Sequence, residues 1–360
     1  MASELPIGTH LDSDSPANLR AEKLNRHTFW CGQSGSGKTY SLGVMLEQIL
    51  LNTKLPIVVF DPNSDFVRLG EIRDDATPAA AAELAQRSVH VLHSKPGDGQ
   101  QLRVRFVDMD IRSRAAVLKL DPIHDAAEYN TMLRVRDIEL PARGEPLVDL
   151  LRNSDDPAFH SIARRIENLG VVEWDMWAYD DQDVTAVVHS RPDATIVDLG
   201  SFEVKEQMQT AALAVLDDLW AHRHDRIGRL IVIDEAHNLC SPSPGTPLEH
   251  LLTDRIVQIA AEGRKYGLWL LLSTQRPSKV HPNALSQCDN LALMRMSSAH
   301  DLEDLARTFG YAPSELLDRA MTFGQGQALF AGGFTAEPQL VQVGTRLTHE
   351  GGSDVAVPLR

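Results

Sequence analysis

Short apolar runs recur along the chain and set its predicted secondary structure. They are rich in β-branched and aliphatic side chains, are bounded by turn-forming or helical stretches, and lie near residues 28–31, 56–60, 195–198, 229–233, 268–273 and 291–295. Strands buried on both faces of a parallel sheet have this pattern, because helices cover both sides of the sheet. The runs therefore predict parallel β-strands.

Amphipathic helices are predicted between several of these strands. They lie at residues 39–51, 204–222 and 251–262, and in the second of them apolar side chains recur every three or four residues. Alternation of strand and helix is typical of an α/β protein. The chain is therefore predicted to form a doubly wound, mostly parallel sheet.

Residues from about 74 to 190 follow a different pattern. An alanine-rich helix at 76–88 and short strands at 89–92 and 103–107 are predicted first, and helical segments follow at 111–120, 126–135 and 158–169. No flexible linker flanks this region, as would be expected at a boundary between domains. Residues 110–170 are therefore predicted to be a mostly helical insertion in the α/β core.

Composition indicates a globular protein. Hydrophobic residues make up 43% of the 360 positions and charged residues 24%, and the longest apolar runs are far shorter than the roughly 20 residues that span a bilayer. The first residues lack the basic and apolar regions of a secretory signal. The three cysteines (Cys31, Cys240 and Cys288) are widely spaced, which favours free thiols in a reducing cytoplasm.

The formal net charge of −15 limits how the chain could bind nucleic acid. Neutralising phosphates needs clustered Lys and Arg, so the general surface is not expected to coat DNA. DNA inside a narrow pore that is lined by a few basic loops remains compatible with this charge.

A complete phosphate-binding motif follows the first predicted core strand. Residues 32–39 match G-x-x-x-x-G-K-[ST], and the predicted nucleotide-binding residues are Gly32, Gln33, Ser34, Gly35, Ser36, Gly37, Lys38, Thr39 and the following Tyr40. Glycines let successive backbone N–H groups point inward at an anion, and the next helix presents its positive end. Lys38 would bind the β- and γ-phosphates of ATP, and the Thr39 hydroxyl would be a ligand of Mg²⁺.

Two acidic residues end the strand predicted at 229–233. Asp234 and Glu235 would lie where open α/β sheets bind ligands, at the carboxyl ends of the strands. We expect Asp234 to hold Mg²⁺ and Glu235 to act as general base on the attacking water. The neighbouring strand ends at Gln275, which is placed to orient that water, although a turn set by Pro277 would also explain the residue.

Arg264 lies at the end of the helix that precedes the strand at 268–273. Cations at a helix C-terminus commonly interact only with the helix dipole. From the residue pattern alone, that simple role is favoured for Arg264.

Six segments taken together resemble the HerA-like branch of the HerA–FtsK ATPases. They occur in the order of that family, from about residue 24 to about residue 346, and are NRH (25–27), GQSGSGKT (32–39), VVFDPNSDF (58–66), LIVIDEAHNL (230–239), GRKYGLWLLLSTQRPS (263–278) and SQCDNLALMRM (286–296). GRKYG followed by STQRPS is the part that points to this branch rather than to RecA or AAA+ proteins.

This resemblance implies a RecA-like core that assembles as a homohexameric ring, with ATP and Mg²⁺ bound between subunits and double-stranded DNA moved through the central channel. It implies that Arg264 acts in trans on the nucleotide of the neighbouring subunit. It also places Arg26 near the nucleotide, and its proximity to the phosphate loop in sequence favours the same subunit. Asp61 and Asp65 are expected to have a nearby structural or coupling role.

The resemblance also suggests a division of the chain. We expect an N-terminal arm at 1–23, a RecA-like ATPase domain at 24–346 and a C-terminal tail at 347–360. HerA proteins typically carry a β-barrel domain before the ATPase, and the residues that precede Gly32 are too few to form one.

The leading hypothesis is an ATP-driven motor on double-stranded DNA that works with a partner nuclease or other effector and has no membrane anchor. Its DNA contacts would lie on loops at 241–250 and 278–283, although the first contains no Lys or Arg and the second contains Lys279. The alternative is an ATP-dependent oligomeric scaffold that regulates an effector, for example in a defence system, without moving along DNA. A secretion or conjugation ATPase would need a membrane anchor, and a small-molecule kinase would not need Glu235, Gln275 and Arg264.

Overall fold

The computed structural model describes residues 4–135, 146–180 and 182–352. In these residues eleven strands form one sheet in the order β2-β1-β11-β10-β9-β3-β8-β7-β4-β6-β5. The strands are β1 (Glu4–His10), β2 (Pro16–Arg20), β3 (His27–Cys31), β4 (Ile57–Asp61), β5 (Val89–Leu92), β6 (Ala194–Asp198), β7 (Arg229–Ile233), β8 (Leu268–Thr274), β9 (Cys288–Met294), β10 (Gln327–Gly332) and β11 (Gln339–Val343).

Helices cover both faces of this sheet. They are α1 (Lys38–Asn52), α2 (Pro78–Leu84), α3 (Ile111–Val117), α4 (Ala126–Leu133), α5 (Leu147–Arg152), α6 (Pro157–Asn168), α7 (Val184–Ser190), α8 (Lys205–Ala221), α9 (Pro247–Glu262), α10 (Pro282–Leu285), α11 (Ala299–Thr308) and α12 (Ser314–Asp318). Short 3₁₀ helices occur at Ala21–Asn25, Phe106–Asp108, Val171–Glu173, Arg223–Asp225, Ala236–Asn238, Gly263–Tyr266, Pro277–Lys279 and Arg319–Thr322. Among the described helices, none combines the length and the apolar content needed to cross a bilayer.

The predicted doubly wound sheet is confirmed. The seven strands from β9 to β5 in the sheet order are parallel to one another. Successive side chains of one strand enter two separate hydrophobic clusters on opposite faces: in β3, Phe29 packs into one and Trp30 into the other. Because both faces are buried, these strands appear in the sequence as uninterrupted apolar runs.

The sheet continues beyond β9 with four antiparallel strands, and this corrects the predicted N-terminal arm at 1–23. β1 pairs with both β2 and β11, so the segment belongs to the sheet. The burial of β1 alternates, with Leu5 and Ile7 inside and Glu4 and Pro6 exposed. That alternation is typical of a strand buried on one face, and β1 is too short for the pattern to stand out in the sequence.

The boundary predicted at residue 347 is also wrong for the residues that the structure describes. The backbone N–H groups of Leu347 and Thr348 both donate to the Glu47 carboxylate on α1, at 2.8 Å. Arg346 and Glu47 form an ion pair that is fully buried. The start of the predicted tail is therefore packed on the core, and its last part, 353–360, lies outside the described residues.

The region between β5 and β6 contains α3 to α7, and α3 to α6 lie within the stretch expected to be helical. The strand predicted at 103–107 is wrong: only Val104 forms a bridge, with Trp177, and Phe106–Asp108 is a 3₁₀ helix. The helix predicted at 76–88 is shorter, because it begins at Pro78, capped by the Thr77 side chain, and ends at Leu84. Residues 136–145 of the predicted insertion lie outside the described part of the chain.

Candidate nucleotide-binding site

The phosphate loop connects β3 to α1 at the carboxyl edge of the parallel strands. Gly35 and Gly37 have positive φ angles of 72° and 89°, a conformation that glycine adopts without strain. Gly37 is also the N-cap of α1, and a Cβ atom there would lie 3.2 Å from the backbone nitrogen of Gly326. The first N–H groups of α1 have no acceptor within the helix, so they are available to an anion at this edge.

The segment after β9 holds the phosphate loop in place. The Gln33 backbone nitrogen donates to the carbonyl of Arg295, and the Arg295 guanidinium donates back to the carbonyl of Gly35, both at 2.9 Å. The hydroxyl of Ser297 donates to the Gln33 side chain at 2.6 Å. The loop is therefore preorganised by a neighbouring strand.

Lys38 lies between the two acidic residues at the end of β7. Its Nζ donates to Asp234 Oδ1 at 2.7 Å and lies 3.1 Å from Glu235 Oε1. It also donates to the Ser273 hydroxyl at 3.0 Å. Burial disfavours the charged amine, but the two carboxylates outweigh this effect and raise the pKa of Lys38. The lysine and the acids therefore form one buried cluster of opposite charges.

Glu235 is oriented by several groups at once. Gln275 Nε2 donates to its Oε1 at 2.9 Å, and His237 Nδ1 lies 3.2 Å from its Oε2. Burial opposes ionisation, but the hydrogen bond from His237, the charge of Lys38 and the hydrogen bond from Gln275 together lower the pKa of Glu235 to about 2. The residue also has a left-handed backbone with φ of 43°, a strained conformation that such contacts stabilise.

The residues around Asp234 fit a divalent cation. Asp234 is fully buried, and its Oδ2 has no hydrogen-bond partner in the described residues. Carboxylate oxygens of Asp61, Asp65 and Asp234 lie within 4.8 Å of one another. Burial raises the pKa of Asp61 to about 7 and that of Asp65 to about 6, in each case aided by the nearby charge of Asp234. Hard oxygen ligands and an excess of negative charge suit Mg²⁺, with the Thr39 hydroxyl at the start of α1.

The C-terminal segment forms the opposite wall of the site. An open cleft of about 650 Å³ lies between the phosphate loop and a wall that includes Gln342, Gly344, Thr345 and Glu350. Tyr40, predicted to bind nucleotide, lines the cleft, and its hydroxyl accepts a hydrogen bond from the Arg346 backbone nitrogen at 2.8 Å. The wall was not predicted, because residues 342–350 carry no motif of their own.

Arg264 and Arg26 lie at the other edge of the sheet. Arg264 precedes β8 while Gln275 follows it, and Arg26 precedes β3 while the phosphate loop follows it. At about 3.3 Å per residue, the five-residue β3 separates its two ends by roughly 16 Å. The expectation that Arg26 lies near the nucleotide of its own chain is therefore wrong. Arg26 and the phosphate loop are close in sequence, but they lie at opposite ends of β3.

The comparisons with known proteins agree with this geometry. A family model described as "Helicase HerA, central domain" matches residues 5–140. The chain is 29% identical over 359 residues to the DNA double-strand break repair helicase HerA of Sulfolobus acidocaldarius, with 95% of this chain and 69% of the relative aligned. It is 30% identical over 114 residues to the protein of the same name from Sulfurisphaera tokodaii, with 32% of this chain but only 22% of the relative aligned.

The fold has a structural counterpart in the plasmid coupling protein TrwB, solved in complex with ADP and Mg²⁺. The TM-score is 0.61 at 12% sequence identity, and the alignment covers 97% of this chain and 96% of TrwB. The family-model match and the HerA relatives support a P-loop ATPase related to the HerA–FtsK superfamily. Its core has the RecA-like fold, and the match to the family begins at residue 5, within the strand that sequence reasoning had assigned to an arm.

Several residues of this ATPase site were not predicted from the sequence. Ser273 donates to Asp234 Oδ1 at 2.6 Å, His237 contacts Glu235, and Arg295 supports the phosphate loop. Each lies within a segment that resembles the family, so those segments contained the signal. Their roles depend on contacts between strands that are distant in sequence.

The cluster around Lys38 leads to a prediction about stability. Replacing Lys38 by alanine leaves Asp234 and Glu235 buried side by side without their cation, so the free energy of unfolding at neutral pH should fall by about 3–5 kcal/mol. Nucleotide binding should be lost as well. Urea unfolding at pH 7 measures the first effect, and Lys54→Ala, at an exposed lysine just beyond α1, is the control. An unchanged unfolding midpoint for Lys38→Ala would contradict the compensating role.

Proposed function

We propose that this ATPase forms a homohexameric ring that hydrolyses ATP with Mg²⁺ and moves double-stranded DNA through its channel. The observation that carries the proposal is the separation of two half-sites. The phosphate loop, Asp234, Glu235 and Gln275 lie at one edge of the sheet, and Arg264 and Arg26 lie at the other. Arginines that stabilise transferring phosphates can come from a neighbouring subunit, and a ring brings these two edges together.

Each group at the carboxyl edge has a role in hydrolysis. Lys38 would exchange its contacts with Asp234 and Glu235 for the phosphates of ATP. Glu235 would then orient and polarise the attacking water, with Gln275 holding its carboxylate. Mg²⁺ held near Thr39 and Asp234 would neutralise charge on the β- and γ-phosphates. TrwB, which has the same fold, was solved with ADP and Mg²⁺, and this supports the assignment.

DNA is the proposed substrate for two reasons. The relatives are named as DNA repair helicases, and the loop after β8 carries exposed basic side chains. Arg276 and Lys279 are exposed on this loop, directly after Gln275. This loop begins at Gln275, which donates a hydrogen bond to Glu235. Contact between the loop and a DNA backbone would therefore be coupled to ATP hydrolysis. A few such side chains from each subunit would suit a narrow channel in an otherwise acidic protein.

A regulatory ring without movement along DNA is the second proposal, and the acidic net charge favours it. We propose that a nuclease or another effector works with the ring in the first case and is regulated by it in the second. The three free, buried cysteines agree with the cytoplasmic location that we propose for it.

ATPase assays with and without long duplex DNA at low salt distinguish the two proposals. A motor should be stimulated, and the stimulation should fall several-fold in the double variant Arg276→Ala, Lys279→Ala. Lys95→Ala, which removes an exposed positive charge between β5 and β6, is the control. A ring that hydrolyses ATP at the same rate with and without duplex DNA would reject the motor and support the regulatory ring.

A further inference from the structure

The SQCDN segment contains an acidic residue that links the two arginines at the far edge of the sheet. Asp289 lies at the start of β9, and its Oδ2 accepts a hydrogen bond from Arg264 Nη1. The same oxygen lies 3.8 Å from Arg26 Nε. We propose that Asp289 is a positioning residue, which holds Arg264 and Arg26 as a pair directed at the nucleotide of the neighbouring subunit. This inference rests on the proposed function.

The backbone at Asp289 is fixed by the residue that follows it. The buried Asn290 side chain donates to the carbonyl of Lys23 at 3.1 Å and to the Thr28 hydroxyl at 3.2 Å, and it accepts from the Phe334 backbone nitrogen at 2.9 Å. These bonds join the start of β9 to the segment leading into β3, which carries Arg26. A carboxylate on so rigid a backbone can define where a flexible guanidinium lies.

Gly332 shows how closely the neighbouring strand approaches the same point. It has a φ of 107°, and a Cβ atom there would lie 2.1 Å from the carbonyl oxygen of Asp289. Such close packing requires glycine at this position. The backbone of Asp289 is therefore enclosed, while its carboxylate faces solvent beside the two arginines.

The local charges favour a shared counter-ion. Two guanidinium groups that approach the same oxygen repel each other, and the carboxylate between them offsets this repulsion. His27, buried next to them, adds no positive charge: burial and the charges of Arg264 and Arg26 lower its pKa to about 4. Its Nδ1 accepts a hydrogen bond from the Leu270 backbone nitrogen at 2.8 Å.

Because this cluster is partly exposed, we expect Asp289 to position Arg264 rather than to hold it away from the nucleotide. The side chains of Arg264, Asp289 and Arg26 are all between about a third and a half exposed, and ion pairs in such surroundings are weak. A weak pair does not compete with a bound phosphate, yet it limits the orientations of the arginine before the phosphate arrives. One contact through Nη1 also leaves other N–H donors of the Arg264 guanidinium to reach a ligand.

The test compares Asp289→Asn and Asp289→Glu with the parent protein in steady-state ATP hydrolysis. For Asp289→Asn we expect kcat to fall about 10-fold, within the range by which misplaced catalytic groups slow enzymes, with the Kd for ATP and the melting temperature unchanged. Asp289→Glu should recover part of the loss because it keeps the charge. Asp149→Asn is the matched control, since Asp149 is equally exposed and pairs with Arg152 on α5.

Adding Asp289→Asn to the double variant Arg264→Ala, Arg26→Ala shows whether Asp289 acts through the two arginines. If it does, turnover should equal that of Arg264→Ala, Arg26→Ala, whereas a further loss would overturn the proposal. A faster rate in Asp289→Asn would also overturn it, since the carboxylate would then restrain the arginine from acting. A higher Kd for ATP or a lower melting temperature in Asp289→Asn would also overturn the proposal.

The same measurements separate this inference from the proposed function. If Arg264→Ala turns over normally, the arginine does not complete the site, and both proposals fail. If Arg264→Ala is inactive while Asp289→Asn has normal turnover, only the positioning role is rejected.

Discussion

Arg264→Ala is expected to bind ATP with unchanged affinity and to lose turnover by at least about 10³-fold, as arginine fingers do in other P-loop enzymes. The reason is geometric. Arg264 precedes β8 at the edge opposite the phosphate loop, so it cannot contact the nucleotide of its own chain. Nucleotide titration and phosphate release would measure the two effects separately.

Mixed assemblies identify which subunit the arginine serves. A Lys38→Ala subunit has a defective phosphate site but an intact Arg264, and an Arg264→Ala subunit has the reverse. Mixing the two inactive proteins should restore part of the activity, because some interfaces then combine an intact site with an intact arginine. A complete lack of rescue in rings that contain both variants would argue against action in trans.

Glu235→Gln is expected to keep ATP binding and to slow hydrolysis by about 10²–10⁴-fold, the range for loss of a general base. The glutamine has the same shape but lacks the negative charge that polarises water, and Lys38 still compensates Asp234. Equilibrium nucleotide binding and single-turnover hydrolysis would measure the two properties.

The control for this substitution is Glu83→Gln, at an exposed glutamate on α2 that pairs with Arg87. It should change neither binding nor rate. Hydrolysis at the parental rate by Glu235→Gln would remove Glu235 from the chemistry and leave its contacts with Lys38 and Gln275 as structural ones.

The parts of the site that could be predicted are those that follow directly from a strand. The phosphate loop, Asp234 and Gln275 each come after an apolar run, and parallel strands bring their carboxyl ends to one edge. The structure brings Gln275 within hydrogen-bond distance of Glu235, as the proximity of neighbouring strands had suggested. Local pattern and sheet geometry were enough for these residues.

The residues that could not be predicted depend on long-range contacts. Arg26 was predicted to lie near the nucleotide of its own chain because only a few residues separate it from the phosphate loop. Those residues form β3, whose length places Arg26 and the loop at opposite edges of the sheet. The role of Asp289 depends on the pairing of β9 with β3, which the sequence does not show. The role of His237 depends on its contact with Glu235. The cleft wall near Thr345 becomes visible only once β11 and the segment after it are in place.

The pairing of β1 with β11 has a consequence for how this protein is made. Gly8 lies opposite Val343, so β1 pairs with a strand that comes more than 300 residues later in the sequence. The β1–β2 hairpin buries little by itself, and isolated two-stranded hairpins are at best marginally stable in water. Leu5 and Ile7 therefore lack part of their packing until β11 has been synthesised and has paired with β1. An incompletely folded chain in which β1 has not yet paired with β11 therefore exposes an apolar strand face that is prone to aggregation.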